Sequence, residues 1–165
     1  MSTLSNFLKE LERESAVTRK MLERVPADKS DWQPHPKSMS IKNLAAHIAE
    51  LPGWISMAFT TTEMDFASSP YQAPVWDTIA ELMAIFENTL ADAKDHLSNG
   101  TDADLEPEWV LRNGNDIYMK ITKAELVRHA MSQTIHHRAQ LGVYLRLLDI
   151  PIPGTYGPSA DEQNF

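Results

Sequence analysis

The strongest constraint on the fold is a long stripe of apolar residues between positions 76 and 97. The stripe alternates steps of three and four residues over three heptads, through Trp76, Ile79, Met83, Phe86, Leu90, Ala93 and Leu97. A seam of this kind predicts an α-helix that packs against other helices at a shallow crossing angle. The Asn99-Gly100 pair that follows predicts where this helix ends.

The N-terminal part of the chain also has helical periodicity. Residues 3–24 place apolar side chains on one face, with Lys, Glu and Arg between them, and Pro26 predicts the end of this helix. The next segment, residues 27–39, contains two prolines that exclude a continuous helix. We interpret this segment as a loop that Trp32 anchors to the core.

Two further helices have clear start signals. Ser40 is a suitable N-cap for a helix over residues 41–58, and Pro52 within it predicts a kink or break about one turn earlier. The last helix covers Thr122–Leu148, and Thr122 with Glu125 forms a capping box at its start. The chain thus contains four amphipathic segments of similar length.

The connections between these helices are long. Residues 60–74 are polar and aperiodic, which predicts a surface connection. Residues 109–120 place an Asn-Gly pair between two β-prone runs, so a small hairpin or an extended loop is expected before the last helix. The sequence therefore predicts an all-α protein, a four-helix bundle with long connections, in a single domain over residues 1–165.

Charge and composition exclude several classes of function. The net charge is −8 and no Lys/Arg cluster is present, so nucleic-acid binding is not expected, because such binding depends on neutralising phosphates. The chain has no cysteine, which excludes disulfides and thiolate ligands. No signal peptide or apolar run long enough to span a bilayer is visible, so we expect no membrane association and a cytoplasmic protein.

Polar side chains interrupt the apolar stripe of the last helix. His129, Gln133 and His137 follow one another at four-residue intervals and therefore lie along one helix face. His129 and His137 are separated by about 12 Å of axial rise, too far to share one ion. Gln133 and His137 are close enough, and His47 lies on the inward stripe of the second helix. These three residues are the candidate metal ligands.

Two imidazoles and one amide oxygen at an open site would suit a borderline divalent ion, with water completing the shell. The alternative is that His47 and His137 are hydrogen-bonded core residues and Gln133 is a buried amide satisfied by a neighbour. His136 points about 100° away from His137 around the helix, so these two cannot ligate a common ion. We interpret His136 and His129 as surface or supporting residues.

Several short motifs resemble the DinB superfamily of DinB/YfiT-like proteins over nearly the whole chain. They are Leu44-Ala-Ala-His47, His136-His-Arg-Ala-Gln140, Tyr144-Leu-Arg146 and Pro151-Ile-Pro-Gly154. The resemblance implies a four-helix bundle, often a homodimer, with a divalent metal held by three histidines. Family members with known activities are mainly metal-dependent thiol transferases and related small-molecule enzymes. Despite the family's association with DNA damage and stress induction, DNA binding is not characteristic of it.

In the family pattern, His47 matches the ligand from the second helix and His137 matches the last ligand. The middle position is Gln133, where the family has a histidine. An amide oxygen is a weaker and harder donor than imidazole. We therefore expect either reduced affinity for zinc or nickel, or a preference for a harder ion such as manganese. Trp54 is a candidate wall of the pocket. Arg138 and Gln140 are predicted to form a polar network near the second helix or to line a dimer seam.

The resemblance implies a metal-dependent enzyme, of thiol transferase or hydrolase type, whose substrate is a small molecule such as a low-molecular-weight thiol. Two alternatives remain at this point. One is a metal-free protein of the same fold that binds a ligand, with Gln133 marking the loss of catalysis. The other is a purely structural, dimerising protein.

Overall fold

The computed structural model describes residues 2–163, and within this range the chain forms five α-helices and three strands. In chain order these are α1 (Thr3–Leu22), α2 (Ile41–Glu50), α3 (Pro52–Thr60), β1 (Glu63–Asp65), α4 (Ile79–Asn99), β2 (Glu108–Asn113), β3 (Asp116–Thr122) and α5 (Lys123–Leu147). The protein is mostly helical, as the periodicity predicts.

The helices begin and end where the sequence places capping residues. The Ser40 hydroxyl accepts a hydrogen bond from the backbone N–H of Asn43 at the start of α2. At the start of α5, the Thr122 hydroxyl accepts from the Glu125 N–H, while the Glu125 carboxylate accepts from the Thr122 N–H. These bonds satisfy backbone donors that have no partner within the helix. Gly100 ends α4 as predicted.

The second helix breaks at Pro52 itself, and the prediction of a break one turn earlier is wrong. The helix α2 ends at Glu50 and α3 begins at Pro52, with Leu51 between them. The Leu51 N–H still donates to the His47 carbonyl at 3.2 Å. Proline is tolerated in the first turn of a helix because the N–H that it lacks would have no partner there. The chain therefore restarts a helix at Pro52 instead of bending before it.

A three-stranded sheet corrects the all-α prediction. The predicted hairpin is present as β2 and β3, which pair antiparallel, and β1 adds a third strand parallel to β2. The Asp65 carboxylate at the end of β1 accepts hydrogen bonds from the Gly114 N–H in the hairpin turn and from the Ala67 N–H, each at 2.9 Å. Gly114 has a φ of +59°, a conformation that favours glycine.

The core lies between the helices and under the sheet. Its largest fully buried side chains include Trp76, Trp109 and Phe86. The Trp109 indole N–H donates to the Thr61 hydroxyl at 2.9 Å, so this buried polar group has a partner. In residues 2–163 no helix is long and apolar enough to cross a membrane.

Trp32 anchors the loop between α1 and α2, as the sequence predicts. Its ring meets that of Tyr144 on α5 edge to face, with the ring centres 5.6 Å apart. Trp32 also packs against the hydrophobic core. The loop therefore fixes the start of α2 relative to α5, and α2 and α5 are the two helices that carry His47 and His137.

Candidate functional site

The structure brings together His47, in the last turn of α2, and His137, in the middle of α5. Their ring centres are 4.7 Å apart and the rings are inclined at 75°. Each histidine lies beside buried positions of its own helix. Leu44 and Ile48 are the buried neighbours of His47, and Leu141 lies buried one turn after His137. Ninety residues of chain separate the two histidines, so the fold creates this pair.

The hydrogen bonds of the two rings define which nitrogen atoms remain available. The Nδ1 atom of His47 lies 2.7 Å from the Glu50 carboxylate, and Nδ1 of His137 lies 2.8 Å from the Gln140 side-chain oxygen. A carboxylate and an amide oxygen can only accept hydrogen bonds, so both Nδ1 atoms are the donors. In the neutral rings this leaves the Nε2 lone pairs free to bind a ligand.

Gln133 lies one turn before His137 on the same face of α5, but its amide already has a partner. The Gln133 Nε2 atom lies 3.3 Å from Nε2 of His129, which lies a further turn back. His129 in turn packs beside Trp54, with the ring centres 6.4 Å apart. Trp54 therefore flanks His129. Along α5, His137 pairs with His47 at one end of the row, and Gln133 pairs with His129 at the other end.

His136 lies closer to the histidine pair than its position on the helix predicts. Its ring centre is 4.8 Å from that of His137, and the rings are inclined at 72°. His136 is exposed, so it covers one edge of His137 from the solvent side. Three imidazole rings are thus adjacent in the order His47, His137, His136.

The residues present fit two positions of a metal site. Two imidazoles on one tetrahedral ion have ring centres about 5 Å apart, because each metal–nitrogen bond is about 2.0–2.1 Å. The His47–His137 separation is close to this value, and both Nδ1 atoms have the outer hydrogen-bond partners typical of ligating histidines. Among the described residues, no group of three His, Cys, Asp or Glu side chains is placed to hold a metal. The third ligand that the sequence predicts is the amide oxygen of Gln133, one turn before His137 on the same face of α5.

The surroundings of His137 favour its neutral form. Burial lowers the pKa of His137 below the ordinary imidazole value, and the nearby His47 and His136 rings lower it further. The hydrogen bond to Gln140 opposes this effect, but burial is the larger cause. A neutral imidazole is the form that can bind a metal ion or accept a proton.

The lowered pKa predicts a pH dependence of stability. Near the ordinary imidazole pKa of about 6.5, the unfolded chain binds more protons at His137 than the folded protein does. The free energy of unfolding should therefore be highest above this value and fall as the pH decreases through about 6.5. Replacing His137 by Gln should reduce this fall.

Urea unfolding in the presence of a chelator, at several pH values, would measure the effect. The matched control is His35→Gln, because His35 is exposed in the loop before α2 and bonds only locally, to the Lys37 N–H. An equal reduction of the pH dependence in both variants would contradict the role given to His137.

Arg138 does not belong to a network near the second helix, and that prediction is wrong. Arg138 is buried and points to α1, where it pairs with the Glu14 carboxylate at 2.7 Å. It also donates to the hydroxyl of Tyr156 in the C-terminal segment. Gln140, by contrast, bonds to His137 at the candidate site. Arg138 and Gln140, one and three positions after His137, thus contact different regions of the molecule.

Two residues near the site were missed by sequence reasoning. Glu50 follows His47 by three residues on α2, and this spacing could have indicated the contact. Tyr71 reaches Glu50 from the long segment between β1 and α4, with its hydroxyl 2.6 Å from the same carboxylate oxygen that contacts His47. No local pattern marks Tyr71, because the contact depends on how that segment folds back.

The fold and the histidine pair together define a mostly helical protein that places two imidazoles side by side between α2 and α5. The chain belongs to the DinB family, whose model matches residues 1–164. The prediction of this family from the motifs is confirmed.

The chain is similar to several other proteins. The protein YrdA of Bacillus subtilis (strain 168), which is uncharacterized, is 26% identical over 164 residues, covering 97% of this chain and 92% of YrdA. The crystal structure of the DinB-like protein YjoA from B. subtilis superposes with a TM-score of 0.66 at 22% identity, covering 97% of this chain and 99% of YjoA. The mycothiol-dependent maleylpyruvate isomerase has a TM-score of 0.58 at 12% identity and covers 86% of this chain, which spans 63% of that structure. These likenesses show a shared fold.

Proposed function

We propose that this protein is an enzyme that acts on a small molecule at a divalent metal ion held by His47, Gln133 and His137. The observation that carries the proposal is that the rings of His47 and His137 lie side by side. Both Nδ1 atoms donate to hydrogen-bond acceptors, which leaves both Nε2 atoms available. Zinc, nickel and manganese are the candidate ions. A bound ion of this kind would polarise a substrate or acidify a water or thiol that binds to it.

The chain's own residues would orient the two imidazoles and shield the site. Glu50 and Gln140 fix the rings, and the half-buried position of His137 lowers the pKa of that ring and favours its neutral form. Gln133 would bind the ion through its amide oxygen while its amide nitrogen stays beside His129, and this oxygen predicts weaker binding of zinc or nickel than a third imidazole would give. An open coordination position would remain for the substrate.

A low-molecular-weight thiol is the proposed substrate or co-substrate. The support is that a mycothiol-dependent isomerase has the same fold, which makes thiol chemistry a reasonable expectation for a family member. We further propose that α2 and α3 act as one bent segment, so that the helices form a four-helix bundle around the site. Homodimer formation, cytoplasmic location and stress induction stay predictions from the family resemblance.

A second candidate function is ligand binding by a metal-free site. It is favoured by the lack, within residues 2–163, of three acidic, histidine or cysteine side chains arranged around one point. In this case the histidine pair would bind the ligand through hydrogen bonds from its Nε2 side. Metal binding distinguishes the two candidates.

The test is metal content and titration calorimetry on protein purified without a histidine tag. The wild type should bind one zinc, nickel or manganese ion per chain, and His47→Ala and His137→Ala should each lower the affinity by about 100-fold or more. This expectation follows because even the loss of an outer hydrogen-bond partner typically costs about 10–100-fold.

The control for unspecific histidine binding is His35→Ala, which should leave the affinity unchanged because His35 lies in the loop before α2. If the wild type contains no metal and shows no thermal shift with any of the three ions, the metal-dependent function is wrong and the metal-free candidate is supported.

A further inference from the structure

The Glu50 carboxylate joins two side chains from different parts of the chain. Its Oε1 atom accepts hydrogen bonds from Nδ1 of His47 at 2.7 Å and from the hydroxyl of Tyr71 at 2.6 Å. The side chains of His47 and Glu50 are only 19% and 15% exposed. Water screens a contact shielded to this extent less than it screens an exposed pair on a helix surface.

We infer that Glu50, held in place by Tyr71, is the positioning residue that keeps His47 in its Nδ1–H tautomer and so directs the Nε2 lone pair to the site shared with His137. The inference rests on the proposed function for what the lone pair binds. The tautomer itself is a property of the metal-free protein and can be measured independently.

The chemistry of the acceptor determines the tautomer. Free neutral imidazole can carry its proton on either nitrogen, and the hydrogen bond made by one nitrogen decides which. An ionised carboxylate has no proton to donate, so the nitrogen that faces it must carry one. With Nδ1 protonated, Nε2 is the only ring nitrogen of neutral His47 that can donate electrons to a ligand.

Tyr71 is a second donor to the Glu50 carboxylate. It belongs to the segment between β1 and α4, and its ring is about half exposed while its hydroxyl reaches inward to the carboxylate. Burial, the hydrogen bond to Glu50 and the negative charge of Glu50 all raise the pKa of Tyr71, so its hydroxyl is protonated near neutral pH and donates to the carboxylate. Glu50 thereby has one acceptor atom fixed by two donors.

The Nδ1 atom of His137 has a weaker hydrogen-bond acceptor at the same sequence spacing. Gln140 follows His137 by three residues, just as Glu50 follows His47, but it offers a neutral amide oxygen and is exposed. Charge-assisted hydrogen bonds are about twice as strong as neutral ones. Glu50 should therefore control His47 more firmly than Gln140 controls His137, and its removal should have the larger effect.

The experiment is ¹⁵N NMR of the imidazole nitrogens in metal-free protein, in alkaline buffer where histidines are neutral. The His47 signals can be assigned among the six histidines by their loss in His47→Gln. In the wild type His47 should be protonated on Nδ1. Glu50→Leu removes the acceptor, so the proton should move largely to Nε2 and the affinity for zinc should fall by about 10–100-fold.

Two further variants distinguish the positioning of His47 by the Glu50 acceptor from an effect of side-chain size. Glu50→Gln keeps an acceptor oxygen and should restore the Nδ1–H tautomer. Tyr71→Phe should keep the tautomer, because Glu50 remains, and should weaken zinc binding less than Glu50→Leu does. The matched control is Glu87→Leu, which removes a carboxylate that pairs with Arg19 on α1 and should leave the His47 signals unchanged.

The inference is wrong if wild-type His47 carries its proton on Nε2, or if the tautomer in Glu50→Leu is the same as in the wild type. Should Glu50→Leu not fold, Glu50→Ala provides the same test. If His47 shows the expected tautomers in all variants while no variant binds metal, the positioning by Glu50 is supported and the proposed function alone is contradicted.

Discussion

Replacing Arg138 by Met should lower the free energy of unfolding by about 3 kcal/mol, because it leaves the partly buried Glu14 carboxylate without its ionic partner and with only the Tyr156 hydroxyl as a donor. Arg138 is 2% exposed and its guanidinium contacts the Glu14 carboxylate at 2.7 Å, the Glu14 carbonyl at 3.1 Å and the Thr18 hydroxyl at 3.0 Å. It also donates to Tyr156 at 2.8 Å. The substitution keeps much of the apolar volume but removes every one of these bonds. Urea unfolding followed by circular dichroism would measure the loss.

The control is Arg19→Met, which removes an ion pair of similar geometry at the surface. Arg19 and Glu87 are 35% and 45% exposed, and exposed pairs contribute about 0–1 kcal/mol. Adding Glu14→Leu to Arg138→Met should recover part of the lost stability, because the unpaired carboxylate is then also gone. A loss in Arg138→Met no larger than in Arg19→Met would contradict this account.

The starts of α2 and α5 could be predicted because their causes are local. The capping residues Ser40 and Thr122 satisfy backbone donors within three positions of themselves, so the sequence contains both partners of each bond. The strand β1 could not be predicted in this way. It has three residues, Glu63–Asp65, and exists because β2, more than forty residues later, pairs with it and the hairpin turn bonds to Asp65.

The residues of the candidate site could also be predicted only in part. Helical periodicity and the family resemblance selected His47 and His137, and the fold places them side by side. The partner of Arg138 could not be found from its own helix, because the spacing that puts a residue on the inward side does not say which neighbour it meets. Tyr71 was missed for the same reason, since an aperiodic segment carries it to Glu50.

Replacing Gln133 by His should raise the affinity for zinc and nickel by at least about tenfold, which corresponds to about 1.4 kcal/mol. Position 133 lies one helical turn before His137, and its side chain lies on the same face of α5. The amide that the substitution removes is held by His129 at 3.3 Å and is a poorer donor than imidazole for these borderline ions. Competition with a chelator of known affinity would measure the change, and manganese, a harder ion, should gain less.

The matched control for the added histidine is Ser132→His. Ser132 is exposed and adjacent to Gln133, so the variant adds the same imidazole to the same helix but turns it about 100° away from the pair. It should not change the affinity, and an equal gain in both variants would contradict a site that includes position 133. Gln133→His also separates the two candidate functions. If the variant binds metal and the wild type does not, the site has kept the geometry of His47 and His137 and has lost metal binding because residue 133 is a glutamine.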